Sequence, residues 1–490
     1  MKKIVVIGAG ISGLAAAIYA QRSGFEVTLC EQHNMAGGMC TSWKRKGYLF
    51  EGAVHWLTGS NPKIEINQLW KETGALNEQV PIILHEQFFA VEWEDKIINI
   101  YRDIEKTAKH FLEISPDDKK QINRLRKDVK AFYDFEMPVT DIRGVKAQNP
   151  KHLKFSSLLK MLPLLPRLVK LSKITCKEYI HQFKNIGIQK ALNIIPDEYT
   201  AIALIATLGT LNAGDGGYPE GGSLPMVERM VKTFKNLGGT LLLNTKVKKI
   251  KIEKQKAVGV ILNNETEIDA DAVIVTQETI AALDKLFDIP LQDKWLTDLR
   301  KNTKPEVCTF IGMGIRCSLP EPIIPAWELD EPIEYGGMRE THLYFYNNSG
   351  YEGYAPKNSA VLTTAFMGDT YDFWKKAKEE GRYDEEKQAL ADKICRAVCK
   401  KFPQAQDNIE VIDIATPLTY ERYTGAYHGS WMAVPGVGDK MTTYPGFSKN
   451  ISGLYFAGHR IMPPGGLPVA VYTGRMAAQM VCRQFKVLFK

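Results

Sequence analysis

Gly8, Gly10 and Gly13 stand in GxGxxG spacing, and an acid, Glu31, follows 18 residues after the last of them. Each residue type suits one task. Gly8 permits a tight turn, Gly10 lets the backbone approach a pyrophosphate, and Gly13 lets a helix pack closely on a strand. The unpaired N–H groups and partial positive charge at a helix N-terminus suit a diphosphate. Glu31 can accept hydrogen bonds from both hydroxyls of a ribose and would repel a 2′-phosphate. Ile11 and Ser12 inside the turn, and Gln32 beside the acid, share this assignment. The chemistry is that of a dinucleotide site.

Such a site needs a strand, a turn, a helix and a second strand. Ile4 to Ile7 is a β-branched run, as expected of a buried parallel strand. A helix is predicted from Leu14 to Gln21 with Gly24 as its stop, and a second strand from Phe25 to Cys30. Lys2, Lys3, the apolar run and the Ala-rich end also fit a secretory signal. The acid at the right distance makes the dinucleotide reading the stronger one.

The chain has 490 residues, 44% apolar and 24% charged, which excludes a disordered tail, a collagen-like repeat or a disulfide-stapled scaffold. It is long enough to enclose a large ligand. A net charge of +7 over this length does not suggest a nucleic-acid binder. Cys30, Cys40, Cys176, Cys308, Cys317, Cys395, Cys399 and Cys482 form no CxxC pair and no ligand spacing. No metal site is expected, and scattered thiols point to a reducing, cytoplasmic setting.

Three further blocks carry signal. Residues 35–59 hold a Gly37-Gly38 pair followed by Phe50, Glu51, His55, Trp56 and Gly59. In residues 215–262, Ser223 reads as an N-cap and Pro225 as first-turn proline. Val227, Met230, Val231 and Phe234 give an apolar stripe, and Gly238-Gly239 a stop. Strands are predicted at 241–243, 247–252, 258–262 and 272–276. Residues 451–481 read as a short strand at 454–457, Gly458, a Pro/Gly loop and a helix from about Pro468.

Together these blocks resemble FAD-dependent oxidoreductases of the phytoene desaturase type, a group that includes carotenoid isomerases and retinol saturases. The resemblance touches both termini and the middle of the chain. It implies an α/β protein with a Rossmann-like FAD-binding domain, a parallel sheet plus a β-meander, and an inserted α+β substrate domain. The FAD domain would comprise 1–90, 205–285 and 415–490, and the substrate domain 91–204 and 286–414. In that family the Gly37-Gly38 turn passes along the FAD pyrophosphate and the next segment, with His55 and Trp56, lines the flavin ring. Many relatives place Arg after the glycine pair, where this chain has Met39. The backbone of the residue matching Val247 holds the adenine. A Gly-Asp pair binds the ribityl chain; here it is Gly458-His459, and imidazole supplies a hydrogen bond but no fixed negative charge. The helix after it, with Leu467, Pro468 and Val469, points its N-terminus at the flavin pyrimidine edge, favouring negative charge there. His55, His428 and His459 fall in segments the family places near flavin, and His55 is the candidate for proton transfer.

The remaining chain predicts strands at 307–315, 341–346 and 361–366 and an amphipathic helix at 384–402. Residues 151–177 differ in character: Lys151, Lys154, Lys160, Arg167, Lys170, Lys173 and Lys177 alternate with leucines, and no acid occurs between Asp141 and Glu178. A membrane-facing lid would need such a surface. A helical hairpin with inward leucines and solvated lysines fits equally. Pro163 and Pro166 are expected to interrupt any helix.

The resemblance implies oxidation or reduction of C–C and C=C bonds in an elongated apolar substrate such as a polyene, by hydride transfer with the flavin. A hydrophobic small molecule is the expected partner, and the enzyme would be cytoplasmic or peripheral to a membrane. With one dinucleotide fingerprint visible, NAD(P)H is one candidate visiting electron donor beside quinone, oxygen or a protein carrier. Alternatives are flavin-dependent cis–trans isomerisation, an amine-oxidase-like flavoenzyme and a flavin-loaded lipid carrier.

Overall fold

The computed structural model describes all residues except 136, 153–161, 320–323 and 433–441. At its centre is a five-stranded parallel sheet in the order Leu454–Phe456, Ala272–Val275, Lys3–Ile7, Glu26–Cys30, Thr240–Leu242. The β-branched run of the first strand lies mid-sheet because both of its faces are covered. Ile4 and Val6 enter one apolar core with Leu14 and Ile18 of the helix Ile11–Arg22. Val5 and Ile7 enter another, beneath a three-stranded meander of Val247–Glu253, Lys256–Leu262 and Glu267–Asp269.

Two helices from opposite ends of the chain, Ile11–Arg22 and Gly466–Phe485, pack against each other beside the sheet. Their closeness depends on missing side chains. A Cβ on Gly13 would lie 1.9 Å from the Gly8 carbonyl oxygen, and one on Gly474 would lie 2.3 Å from the Ser12 carbonyl oxygen. Thr276, just past the strand Ala272–Val275, donates its hydroxyl to the carbonyls of Ile7 and Gly8 at 2.9 and 2.8 Å. The glycine turn is thus held from below, from the side and by the C-terminal helix.

A seven-stranded mixed sheet forms the second layer, in the order Ile409–Ala415, Cys308–Ile315, Ala360–Met367, Met338–Asn347, Ile324–Tyr335, Gln87–Trp93, Lys96–Tyr101. The amphipathic helix occurs at Tyr383–Lys401 and buries Leu390, Ile394 and Val398 on that sheet. Helices Ile104–Ile114, Lys119–Ala131 and Ala201–Asn212 enclose a separate apolar core.

Ser223 departs from its expected role. Gly222 is the N-cap of the helix Ser223–Asn236, and the Ser223 hydroxyl bonds Glu51. A buried carboxylate outcompetes the helix's own first turn for that group. The C-terminal helix begins at Gly466, two residues before Pro468; the proline sits in the first turn, where its missing N–H has no intrahelical partner to lose.

In the basic, leucine-rich stretch, Lys154 and Lys160 lie outside the described residues. Pro166 opens the short helix Leu165–Leu171 rather than breaking one. Lys151 pairs with Glu72 at 3.3 Å, Arg167 with Asp128 at 3.4 Å and Lys177 with Asp197 at 3.7 Å. Leu164 and Leu171 are buried, while Leu162, Leu165 and Val169 are exposed. Among the described residues no helix is long and apolar enough to cross a membrane.

The close helix contact yields a stability prediction. Gly474→Ala forces two helix backbones apart and is expected to destabilise the fold by about 1–3 kcal/mol, the usual cost of overpacking. Urea unfolding of the variant beside the parent checks it; an unchanged midpoint would show that the helices are not packed this tightly.

Candidate functional site

One cavity of about 1880 Å³ runs along the C-terminal ends of the parallel strands and into the space between the second sheet and the helical layer. This is the usual place for a ligand in an open α/β sheet. Gly8, Gly10, Ile11, Ser12, Glu31, Gln32, Gly37, Gly38 and Met39 line one arm, with Val247 at its far end. Gly458, His459, Leu467, Pro468 and Val469 line the middle with His55 and Trp56. Gly13 lies behind the wall, where its contact with Gly8 shapes the turn.

The first arm is pre-formed. The Ala9 and His33 N–H groups donate to opposite oxygens of the buried Glu31 carboxylate at 2.8 and 2.9 Å. Burial raises its pKa, and these hydrogen bonds act against that shift. Each oxygen keeps a lone pair free for a further donor. The Gly37 N–H donates to the Ala9 carbonyl at 2.9 Å, joining the two glycine turns. Neither the helix at Ile11 nor the one at Gly466 has a side-chain cap, so both present N-terminal N–H groups. The Ser12 hydroxyl is buried at the wall without a partner among the described residues. An acid, unused donors and two helix N-termini along one trough fit a dinucleotide.

The middle of the cavity is aromatic. His55 stacks on Tyr346 with ring centres 3.9 Å apart and 10° between planes. Trp56 meets Phe88 edge-on. Burial depresses His55 to about 4. Burial and the neighbouring Arg460 charge depress His459 to about 3. Both imidazoles are therefore neutral near pH 7.

Three motif positions do not reach the cavity. Phe50 packs under Trp43, Glu51 is fully buried, and the Gly59 N–H donates to Asp215 at 2.7 Å. Glu51 accepts from the Ser223 N–H at 2.9 Å, from the Ala53 and Val54 N–H groups at 3.1 and 3.2 Å, and from the Ser223 hydroxyl. It holds the loop that carries His55 and does not itself line the cavity. His428 is also off the wall: it is stacked between Tyr371 and Tyr427, with ring centres 4.2 and 4.0 Å away.

Beyond His55 the cavity opens into an apolar chamber of Ile194, Ile195, Ile202, Ala203 and Ala206 facing Phe310, Tyr344 and Tyr346. Sequence reasoning missed this chamber and a buried ion pair beside His459, Arg460 with Glu278. Tyr344 and Tyr346 carried a usable signal, since i and i+2 on a strand share one face. Arg460 and Glu278 are far apart in sequence and carried none.

Fold and site define an α/β dinucleotide-binding protein with an apolar pocket joined to the cofactor trough. The chain belongs to the flavin containing amine oxidoreductase family, whose profile matches residues 11–482. It is an FAD-dependent oxidoreductase. It is 27% identical to a lycopene-forming phytoene desaturase of a Paracoccus species, over 98% of this chain and 97% of that protein. It is 24% identical to the all-trans-retinol 13,14-reductase of Danio rerio, over 98% and 84%. A putrescine oxidase structure superposes with a TM-score of 0.62 at 17% identity, covering 98% of this chain and 99% of that one, and shares the fold.

The two neutral histidines set a pH dependence. In the unfolded chain they take up protons near the ordinary 6.5, whereas in the fold they resist to about 4 and about 3. The unfolded state then binds more protons, so stability falls as pH drops from about 6.5 towards 4. His459→Asn cannot titrate and should flatten part of that slope. Thermal midpoints across the window, variant against parent, are the measurement; identical slopes would refute the assignment.

Proposed function

We propose that the chain oxidises or reduces C–C/C=C bonds of an elongated apolar substrate of polyene or isoprenoid type. The observation that carries this is the continuity of the cavity: one wall bears the dinucleotide trough, and the far end is an apolar chamber. Its volume exceeds the 300–1,000 Å³ typical of a single small-ligand pocket, leaving room for substrate beside cofactor. FAD, once bound, supplies hydride acceptance and donation at N5. Segments 1–90, 205–285 and 415–490 would hold it. Glu31 takes the ribose hydroxyls, Ser12 with Gly10, Gly37 and Gly38 the diphosphate, Val247 the adenine by its backbone, and Gly458-His459 the ribityl chain. His55, oriented by Tyr346, handles the proton at the second carbon as a neutral relay rather than a stored charge. The apolar chamber excludes water from the reacting bond.

The wall favours an apolar substrate over an amine. Asp215 is occupied by the Gly59 and Asn61 N–H groups and the Ser60 hydroxyl, Asp413 by Trp43 and Arg45, and Glu278 by Arg460. Arg45 and Arg460 counter the charge of Asp413 and Glu278, and both oxygens of Asp215 already accept from protein donors. The test is an anaerobic visible-spectrum titration of the holoprotein with NADH, NADPH, polyenes and amines in turn. Bleaching by nicotinamide, reversed by a polyene, marks saturation. Bleaching by a polyene alone marks desaturation, and a rearranged polyene with no net bleaching marks isomerisation. Reduction by amines with no response to polyenes would sink the reading.

We also propose that substrate enters from a bilayer beside residues 162–173. The helix Leu165–Leu171 packs on Ala201–Asn212, whose Ile202, Ala203 and Ala206 line the chamber. Its outer side presents Leu162, Leu165 and Val169 with Lys170 and Lys173. Exposed leucines beside lysines suit an anionic lipid surface. Leu165→Asp with Val169→Asp should reduce cosedimentation with anionic vesicles several-fold while the flavin spectrum stays as in the parent. Equal sedimentation would reject the docking surface.

A further inference from the structure

Arg460 is a buried basic residue on the cavity wall that the assignments above leave without a task. Its side chain is 2% exposed, and Glu278, its ion-pair partner at 2.6 Å, is 6% exposed. One guanidinium nitrogen, Nη2, donates to the Ser430 hydroxyl, which itself donates to the Tyr427 carbonyl at 2.6 Å. The other, Nη1, is buried without a partner among the described residues. Trp431, the next residue after Ser430, also lines the cavity, its indole N–H without a partner among the described residues. A buried charged donor left unmade is expensive, and the cavity is where a ligand atom can complete it.

The anchor fixes where the guanidinium stands. Glu278 is held by the Ile280, Ala281 and Tyr427 N–H groups at 3.1, 2.9 and 3.2 Å. It lies two residues beyond Thr276, whose hydroxyl bonds the Ile7 and Gly8 carbonyls under the glycine turn. Arg460 itself lies two residues after Gly458 and precedes the uncapped helix start at Gly466. Arg460 and Glu278 follow the strands Leu454–Phe456 and Ala272–Val275, which flank Lys3–Ile7 on one side, whereas Gly37-Gly38 follows Glu26–Cys30, which flanks it on the other. On that other side Met39 contributes no charge.

We propose that Arg460, pre-oriented by Glu278 and Ser430, supplies the side-chain cation for the cofactor's diphosphate, with Nη1 as its donor. The inference rests on the FAD assignment and adds one contact to it. The guanidinium fork suits phosphate oxygens, and its anchor needs no movement on binding.

The test compares the holoprotein with Arg460→Gln and Arg460→Lys. FAD is removed and titrated back at low and high salt, and the potential of the bound flavin is measured. In Arg460→Gln the dissociation constant for FAD should rise roughly ten- to hundredfold, the size of one charge-assisted hydrogen bond. The salt dependence should weaken, and Arg460→Lys should recover part of the affinity. The flavin potential should stay put, because the diphosphate carries the same charge in both redox states. A lowered potential with unchanged affinity for oxidised FAD would overturn the proposal and place Arg460 at the flavin ring. Unchanged FAD binding with a lowered apoprotein melting temperature would reduce the pair to a structural staple and also overturn it. A parent protein that takes up no flavin would instead defeat the FAD assignment itself, so the two failures are distinct.

Discussion

The site depends first on one buried carboxylate. Glu51 ends the strand Tyr48–Glu51, is fully buried, and has its pKa raised by that burial. It gathers the N–H and hydroxyl of Ser223 at the head of one helix and the N–H groups of Ala53 and Val54 in the loop ahead of His55. Tyr218 adds a longer contact at 3.4 Å. A carboxylate in an apolar interior is costly unless its lone pairs are filled, so these segments cannot drift apart without exposing that cost. The same contacts set the entry of the loop that carries His55 and Trp56 to the cavity. The acid does not line the cavity, yet it fixes the loop on which the aromatic groups stand.

Electrostatics along the trough change with depth. At one end the acid Glu31 is held by backbone N–H groups. In the middle two imidazoles are neutral because burial opposes their charging. Past them the wall is aliphatic and aromatic. Such a gradient suits a polar cofactor entering from one side and an apolar substrate lying at the other, with little water between them. The similarity to enzymes named for carotenoid and retinol substrates and the shared fold with a putrescine oxidase are compatible because the trough and the chamber are separate parts. A common trough can serve different chambers.

Much of the trough was legible in the chain. GxGxxG with the acid at its distance, the strand before and the helix after are local patterns, and the strand Lys3–Ile7 and helix Ile11–Arg22 follow them closely. Local reasoning failed where a side chain had two competing tasks. Ser223 had the composition of a cap, yet Glu51, 172 residues away, claimed its hydroxyl. Phe50, Glu51, Gly59 and His428 lay on motif segments, but one-dimensional spacing does not say which face of a loop meets the cavity. His428 turned into an aromatic stack instead.

By itself the sequence determined the dinucleotide chemistry, because that chemistry is made by neighbouring residues in one strand–turn–helix unit. It also determined the class of the elements with clear apolar periodicity, such as the strand Cys308–Ile315 and the helix Tyr383–Lys401. Only the tertiary structure decided the size and apolarity of the chamber, since its walls come from residues near 55, 200, 310 and 345. Only the tertiary structure joined Arg460 to Glu278 across 182 positions of chain. Contacts of that range follow from how the two sheets and their helices pack, and no local pattern encodes the distance between them.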